Sequence, residues 1–261
     1  MAEPHVERDW YDLPAYYDLV FDSLTEDEAD FIDGLARQHV SGRCERVLEP
    51  ACGSGRLLAA LARRGYEVAG FDASEPMLDF ARRRLDRLGL RADLSVQRLE
   101  SFRYRRKFDI AHCMVSSFKY VLTEDDARSH LRAAARAVRK GGLYILGFHL
   151  TQYEDQTVDR ERWQGRRNGT RVVCTIRSEP PEKRTRTEQI RSRLSVTEGG
   201  RTRRFETRWT FRTYSAAQFR ALLRAVPEWK LVATHDFDYD LAHTTAMGRD
   251  RLDTVAVLQR T

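Results

Sequence analysis

The chain has 261 residues, 41% of them hydrophobic and 32% charged, with a mean hydropathy of -0.60, enough for one large domain or a domain carrying an insertion. This composition excludes collagen-like and disordered chains and leaves too little apolar sequence for a membrane span. Of the 45 basic residues 40 are arginine, and the formal charge of +6 is concentrated in one stretch, since residues 151–213 hold 16 Lys/Arg against 9 Asp/Glu. The N-terminal MAEPHVERDWYDL lacks the apolar core of a secretory signal, and Cys44, Cys52, Cys113 and Cys174 form no C-x-x-C pair. A cytoplasmic protein with buried thiols is expected.

Thr25 with Glu28 predicts a capping box for a first helix, in which Phe31, Ile32 and Leu35 form an apolar stripe. Residues 45–50 read as a strand, 56–64 as a helix and 66–71 as a second strand. Ser74 then caps a helix whose Met77, Leu78, Ala81, Leu85 and Leu88 recur at helical spacing before Gly89. A strand over 107–114, a helix opened by Thr123 and a strongly apolar strand over 143–148 continue the alternation, which predicts a parallel sheet covered on both faces. Beyond His149 the apolar period becomes two, through Val172, Cys174 and Ile176, then Ile190, Leu194 and Val196, then Phe205, Thr207, Trp209 and Phe211. Three antiparallel strands are expected, parted by turns at 179–181 and 198–200. On the third, Phe205, Trp209 and Phe211 would face inward and Arg204, Glu206, Arg208 and Arg212 outward. Ser215 with Gln218 restores the helical pattern, and strands near 230–236 and 254–258 close the chain.

The segment Val47-Leu48-Glu49-Pro50-Ala51-Cys52-Gly53-Ser54-Gly55 runs from a strand through a glycine-rich turn toward a helix. Its glycines let the backbone approach a ligand at the carboxyl end of the first strand. A dinucleotide site wants Gly or Ala at position 58 and a helix N-terminus facing a pyrophosphate. Here the residue is Leu58, and Glu49 at the strand tip repels a diphosphate but attracts an ammonium or sulfonium group. Asp72 ends the second strand, where a carboxylate can accept both hydroxyls of a ribose. The pattern suits a cationic nucleoside.

Glu49, the G-S-G turn and Asp72 together resemble the class I S-adenosylmethionine-dependent methyltransferases of the glycine and amino-sugar N-methyltransferase type, over nearly the whole chain. The resemblance implies an α/β fold: a Rossmann-like seven-stranded methyltransferase sheet with helices on both faces and an antiparallel β insert after strand 5. Residues 1–150 and 214–261 would form the cofactor-binding domain, with a lid and helix in 1–40, and 151–213 the insert over the cleft. It also implies S-adenosyl-L-methionine as cofactor, with S-adenosyl-L-homocysteine as product. Glu49 would engage the methionine ammonium, and Ala51, Gly53 and Gly55 would pass beneath the methionine and ribose. Asp72 would hold the ribose, Ala73 and Met77 would flank the adenine, and Leu99 would add a backbone amide and packing. Cys113 and Met114 would line the methionine side. Where the family often has an acid for the adenine amino group, Arg98 stands instead. Tyr16-Tyr17-Asp18 resembles a lid segment, with Tyr17 over the cofactor. Ser117 and Tyr120 lie in a turn resembling one at which many small-molecule members meet their acceptor.

His149, after the fifth strand, has the pKa range of a general base for an amine or hydroxyl acceptor, whereas His112 alternates within a strand and is expected in the interior. Trp209 of the insert is expected to line the acceptor pocket, and Arg177, Arg191 or Arg193 to attract an anionic acceptor. No histidine or cysteine spacing suits a metal. The expected partner is a small-molecule acceptor, methylated on nitrogen or oxygen by in-line displacement; no membrane is involved, nucleic acid is disfavoured, and a homodimer is compatible with the chain. Two other classes stay open. One is an RNA or DNA methyltransferase using the basic insert, although the fourth strand ends in Cys113-Met114-Val115-Ser116 without an Asp/Asn-Pro-Pro-Tyr type of signature. The other is a non-catalytic S-adenosylmethionine-binding protein.

Overall fold

The computed structural model describes residues 5–248 and 252–261. The chain enters through β1 (Val6–Glu7), a 3-10 turn at Trp10–Asp12 and helices α1 (Pro14–Phe21) and α2 (Thr25–His39). Strands and helices then alternate as β2 (Arg46–Pro50), α3 (Arg56–Arg63), β3 (Glu67–Asp72), α4 (Glu75–Arg87), β4 (Ala92–Val96), β5 (Phe108–Cys113), α5 (Glu124–Ala137) and β6 (Val138–His149). Four long strands follow, β7 (Asp159–Arg167), β8 (Thr170–Ser178), β9 (Thr187–Glu198) and β10 (Arg201–Arg212), before α6 (Ala216–Arg224), β11 (Trp229–His235) and β12 (Asp253–Arg260).

Seven strands make the central sheet in the order β11-β12-β6-β5-β2-β3-β4, parallel throughout except that β12 runs against both β6 and β11. A strand covered on both faces needs a continuous apolar run, and every residue of β5 is buried. Alternate residues enter two cores: Leu48, Ala111 and Tyr144 pack with α5 and α6, while Val47, Ile110 and Ile145 pack with α2 and α3. Strand order reverses between β2 and β5, so their carboxyl ends border the crevice in which open α/β sheets bind ligands.

The second sheet has the order β1-β10-β9-β8-β7. Its inner face, with Val172, Cys174, Leu194, Val196 and Phe205, closes over Trp10, Val20 and the aromatic side chains of α1. The approach is close enough that β7 needs glycine at 165, where a Cβ would stand 1.9 Å from the Leu19 carbonyl oxygen. The N-terminal segment therefore lies between the two sheets, since β1 extends the second one and α1 packs on α4 beside the first.

Three expectations are corrected. No capping box opens α2: the Asp22–Leu24 turn runs straight into it, Thr25 Oγ1 donates to the Asp22 carbonyl at 2.8 Å, and Glu28 is taken by Arg56. The antiparallel region has four long strands rather than three, because β7 is an edge strand with no buried residue and so carries no period-two apolar pattern. Arg212 is buried rather than outward, bonded to the Leu122 carbonyl and to Glu124 at the start of α5.

Candidate active site at the strand tips

After Glu49 and Pro50 the chain turns through left-handed backbone at Ala51 (φ 55°), Gly53 (φ 51°) and Gly55 (φ 69°) into α3. Glycine is required at 55, since a Cβ there would stand 2.8 Å from Cβ of Ala81 on α4. The loop is fastened from the neighbouring strand: Asp72 accepts from the Gly53 N–H through Oδ2 and from the Ser74 N–H through Oδ1, both at 2.8 Å. Burial raises the Asp72 pKa while these backbone donors pull it back.

Glu49 is buried and its Oε2 has no hydrogen-bond partner. Burial pushes its carboxyl well above the ordinary range, with Arg56 opposing and the Glu28 and Asp72 charges reinforcing. Arg56 is committed elsewhere, donating to both oxygens of Glu28 at 2.9 and 2.8 Å. A buried carboxylate without a cation of its own is costly, and a cationic ligand relieves that cost.

The N-terminal segment covers these tips. Tyr17 packs against Trp10 (5.3 Å between ring centroids), Tyr11 (5.5 Å) and Phe21 (4.7 Å), and burial pushes its pKa up to about 12. Asp18 is fully buried, accepts from Ser54 Oγ at 2.7 Å and pairs with Arg84 of α4 and Arg167 of β7. Tyr11 meets Tyr120 hydroxyl to hydroxyl at 2.7 Å, and the Ser74 hydroxyl donates to the Tyr11 carbonyl at 3.4 Å. Trp209 packs on Trp10 with the rings tilted by 33° and their centroids 4.6 Å apart, and Phe211 meets Tyr120 edge-on at 4.8 Å. Beneath Phe211, Lys119 pairs with Glu188 of β9, both largely buried.

The remaining candidates divide. Ala73 is exposed, whereas Met77 is fully buried, with its N–H donating to the capping Ser74 hydroxyl. Leu99 is half-buried against the α5 core and its carbonyl bonds His130 Nδ1 at 2.8 Å. Cys113 and Met114 are both buried but enter opposite cores; burial pushes the Cys113 thiol up to about 12. Ser117 is half-buried in the 3-10 turn that also carries Tyr120. Arg98 turns to Glu100. His149 stands apart from the aromatic group: 48% exposed, it bonds Asp253 Oδ1 through Nδ1 at 2.6 Å and meets Phe237 edge-on at 5.1 Å. His112 is fully buried with no partner on either ring nitrogen, and burial lowers its pKa to about 3. Arg177, Arg191 and Arg193 alternate with the inward Ile176, Ile190, Ser192 and Leu194, so they lie on the face of the second sheet turned away from α1. The expectation that they attract an acceptor into the cleft is corrected accordingly.

Sequence reasoning missed Trp10, Tyr11 and Arg167 as contributors, and it placed Asp18 in the lid segment and Lys119 in the acceptor turn without their partners Ser54, Arg84, Arg167 and Glu188. The one local signal was the aromatic pair in Asp9-Trp10-Tyr11-Asp12, too polar in its flanks to mark a core helix.

Among known proteins, the family described as "Methyltransferase domain" matches residues 47–142. The Streptomyces venezuelae dTDP-3-amino-3,4,6-trideoxy-alpha-D-glucopyranose N,N-dimethyltransferase is 30% identical over 50% of this chain and 54% of its own. The match spans about half the length of such curated relatives. In three dimensions the chain is similar to Streptomyces venezuelae DesVI, at a TM-score of 0.78 and 22% identity over 98% of this chain and 100% of that one. It is also similar to CalS10 with bound S-adenosylmethionine, an amino pentose methyltransferase from Micromonospora echinaspora, at a TM-score of 0.72 and 20% identity over 100% of both chains. Residues 47–142 match a methyltransferase domain, in a chain whose fold over its length is that of these methyltransferase structures.

Proposed function

We propose that the protein transfers a methyl group from S-adenosylmethionine to an amine on a small-molecule acceptor. The observation that carries this reading is the buried, unpartnered oxygen of Glu49 beside the left-handed loop, a seat for a cation rather than for a diphosphate. S-adenosylmethionine supplies, when bound, a methyl group on a positively charged sulfur.

In this reading Glu49 receives the methionine ammonium, and Asp72, fixed by two backbone donors with lone pairs to spare, receives the ribose hydroxyls. Ala51, Gly53 and Gly55 bring bare backbone against the ligand. Ala73, Met77 and Leu99 border the adenine, with Met77 acting from beneath as packing. Cys113 and Met114 close the floor, and Tyr17 with its aromatic neighbours keeps water out. Holding both reactants in a dry pocket supplies up to about 7–11 kcal/mol of the barrier in favourable cases.

Residues 151–213 act as the acceptor-specificity element, because Trp209 and Phe211 reach back to Trp10 and Tyr120 beside Ser117. Aromatic faces attract ammonium groups and their methylated products, which favours an amine, as does the amino-sugar acceptor in the name of the Streptomyces venezuelae relative. Tyr11, Tyr17 and Tyr120 all have raised pKa values from burial, so they stay protonated and donate hydrogen bonds. Proton removal falls to His149, whose Nδ1 is held by Asp253 and whose Nε2 is free to accept.

The test is thermal melting with S-adenosylmethionine, S-adenosylhomocysteine and NAD. At 100 times its dissociation constant a ligand stabilises by about 2.7 kcal/mol. The first two should shift the melting temperature, the third should not, and Asp72→Ala should abolish the shift. Stabilisation by NAD alone overturns the reading. Paired amine and hydroxyl acceptors of one scaffold then decide between nitrogen and oxygen.

A further inference from the structure

Two buried polar side chains without partners stand together where β2 and β5 border the crevice. The register of these strands pairs Val47 with Ile110 and Leu48 with Ala111, so one step further Glu49 comes beside His112. Val47 and Ile110 enter the same core, and the residues two along from them, Glu49 and His112, share that face of the sheet. Neither ring nitrogen of His112 nor Oε2 of Glu49 has a hydrogen-bond partner among the described residues. His130, the other histidine with no exposure, shows how a structural histidine is held in this fold: its ring nitrogens bond the Leu99 carbonyl at 2.8 Å and the Tyr144 hydroxyl at 2.6 Å. Burying a polar group without a partner is costly, and two of them side by side at the strand tips point to a ligand that bonds both.

We propose that His112 is a second acceptor, beside Glu49, for the ammonium group of the methyl donor. The inference rests on the reading that S-adenosylmethionine is the cofactor. Burial and the charge of Arg56 lower the His112 pKa to about 3, so the ring is neutral near pH 7 and one of its nitrogens keeps a lone pair. Arg56 cannot satisfy either group, since it is held by both oxygens of Glu28. An ammonium carries three N–H donors, of which a carboxylate oxygen takes one and an imidazole lone pair another. A nitrogen bonded at about 2.9 Å to each bridges the roughly 4.8 Å between neighbouring strands. The sulfonium cannot fill this role, because it has no proton to donate. A metal ion is disfavoured, since no group of three or more His, Cys, Asp or Glu gathers among the described residues. Glu49 and His112 thus select the amino-acid end of the donor, as Asp72 selects its sugar.

The test is titration calorimetry on the whole chain with four ligands: S-adenosylmethionine, S-adenosylhomocysteine, the analogue of the latter that lacks only its amino group, and methylthioadenosine, which lacks the whole amino-acid end. H112L, apolar and of similar size, should weaken the first two by the same factor, at least about tenfold, and the last two less than about twofold. H112N keeps a shorter acceptor and should fall between H112L and wild type. Because H112L buries no unpaired polar atom at this position, the melting temperature of the ligand-free protein should hold or rise. A second readout needs no folded apolar variant: in wild-type protein with 15N-labelled histidine, S-adenosylhomocysteine should shift the unprotonated ring nitrogen of His112, and the deaminated analogue should not. Wild-type affinity of H112L for S-adenosylhomocysteine, equal weakening of all four ligands, a loss confined to S-adenosylmethionine, or an unmoved nitrogen overturns the proposal. If the wild type binds none of the four, the cofactor reading falls with it. If the wild type binds S-adenosylhomocysteine and H112L binds it equally well, only the role of His112 falls.

Discussion

Asp18 and Ser54 join the covering segment to the ligand loop: a carboxylate on α1, with no exposure to solvent, accepts a hydrogen bond at 2.7 Å from the hydroxyl between Gly53 and Gly55. The same carboxylate holds Arg84 and Arg167, so one side chain ties the N-terminal segment to the loop, to α4 and to the second sheet. Removing one partner of a buried charge network leaves the others short of a counter-charge. Arg84 and Arg167 keep Asp22, which limits the damage. Asp18→Ala should cost about 2–4 kcal/mol in denaturant unfolding and weaken S-adenosylmethionine binding about tenfold or more, because closure no longer fixes the loop. Ser54→Ala, losing one hydrogen bond, should cost about 1 kcal/mol. An unchanged cofactor affinity in Asp18→Ala would separate the covering segment from the loop.

Glu49 links binding to pH, with opposite signs for stability and affinity. Its carboxyl titrates above the unfolded value, so the folded protein binds that proton more tightly and loses stability as pH rises from the unfolded value through the folded one. Glu49→Gln should therefore raise the melting temperature of the ligand-free protein at neutral pH, about 2–4 °C for each kcal/mol gained, and flatten its slope with pH. A cation needs the ionised form. Wild-type affinity for S-adenosylmethionine should fall as pH is lowered through the raised value, while Glu49→Gln binds about tenfold more weakly with little pH dependence. Calorimetry across pH measures both. A destabilised Glu49→Gln with wild-type affinity would contradict the assignment.

Tyr11 and Tyr120 act as one unit. Each hydroxyl has the other for a partner at 2.7 Å, and burial keeps both protonated. Tyr11→Phe and Tyr120→Phe should each raise the acceptor KM, and the double variant should do little more than either single one, a coupling of about 1 kcal/mol. The pH–rate profile should keep its wild-type shape in all three, since neither hydroxyl is a base.

Glu49, the glycine turn and Asp72 were legible because each sits where the chain changes from strand to turn to helix, and apolar periodicity marks those changes without tertiary information. The succession of β2, β3, β5 and β6 was legible for the same reason, whereas β4, an edge strand with no buried residue, left no apolar pattern to read. Partnership across long sequence separation was not: Tyr11 meets Tyr120 and Asp18 meets Arg167 only because β1 joins the second sheet and draws the N-terminus between the layers. Thr25 and Glu28 had the spacing of a cap, but a buried Arg56 competes for Glu28 more strongly than a backbone N–H does. Alternation along β8 and β9 fixed which residues share a face; only the packing of α1 told which face turns inward.

His149 and Asp253 pair across β6 and β12 at 2.6 Å, and that hydrogen bond is the main reason the Asp253 carboxyl lies below its ordinary range. An ionised Asp253 accepts from Nδ1–H, so the lone pair available for a proton sits on Nε2. With Phe237 against the ring, rotation away from this orientation loses both contacts. His149→Ala should lower kcat about 100-fold, within the range for loss of a positioned base, with the S-adenosylmethionine dissociation constant unchanged. Asp253→Asn should lower it less, about tenfold, because an amide can still orient the ring while stabilising the wrong tautomer. A His149→Ala enzyme that turns over at the wild-type rate across the whole pH range would leave methyl transfer to positioning alone and make the pair a clasp between β6 and β12.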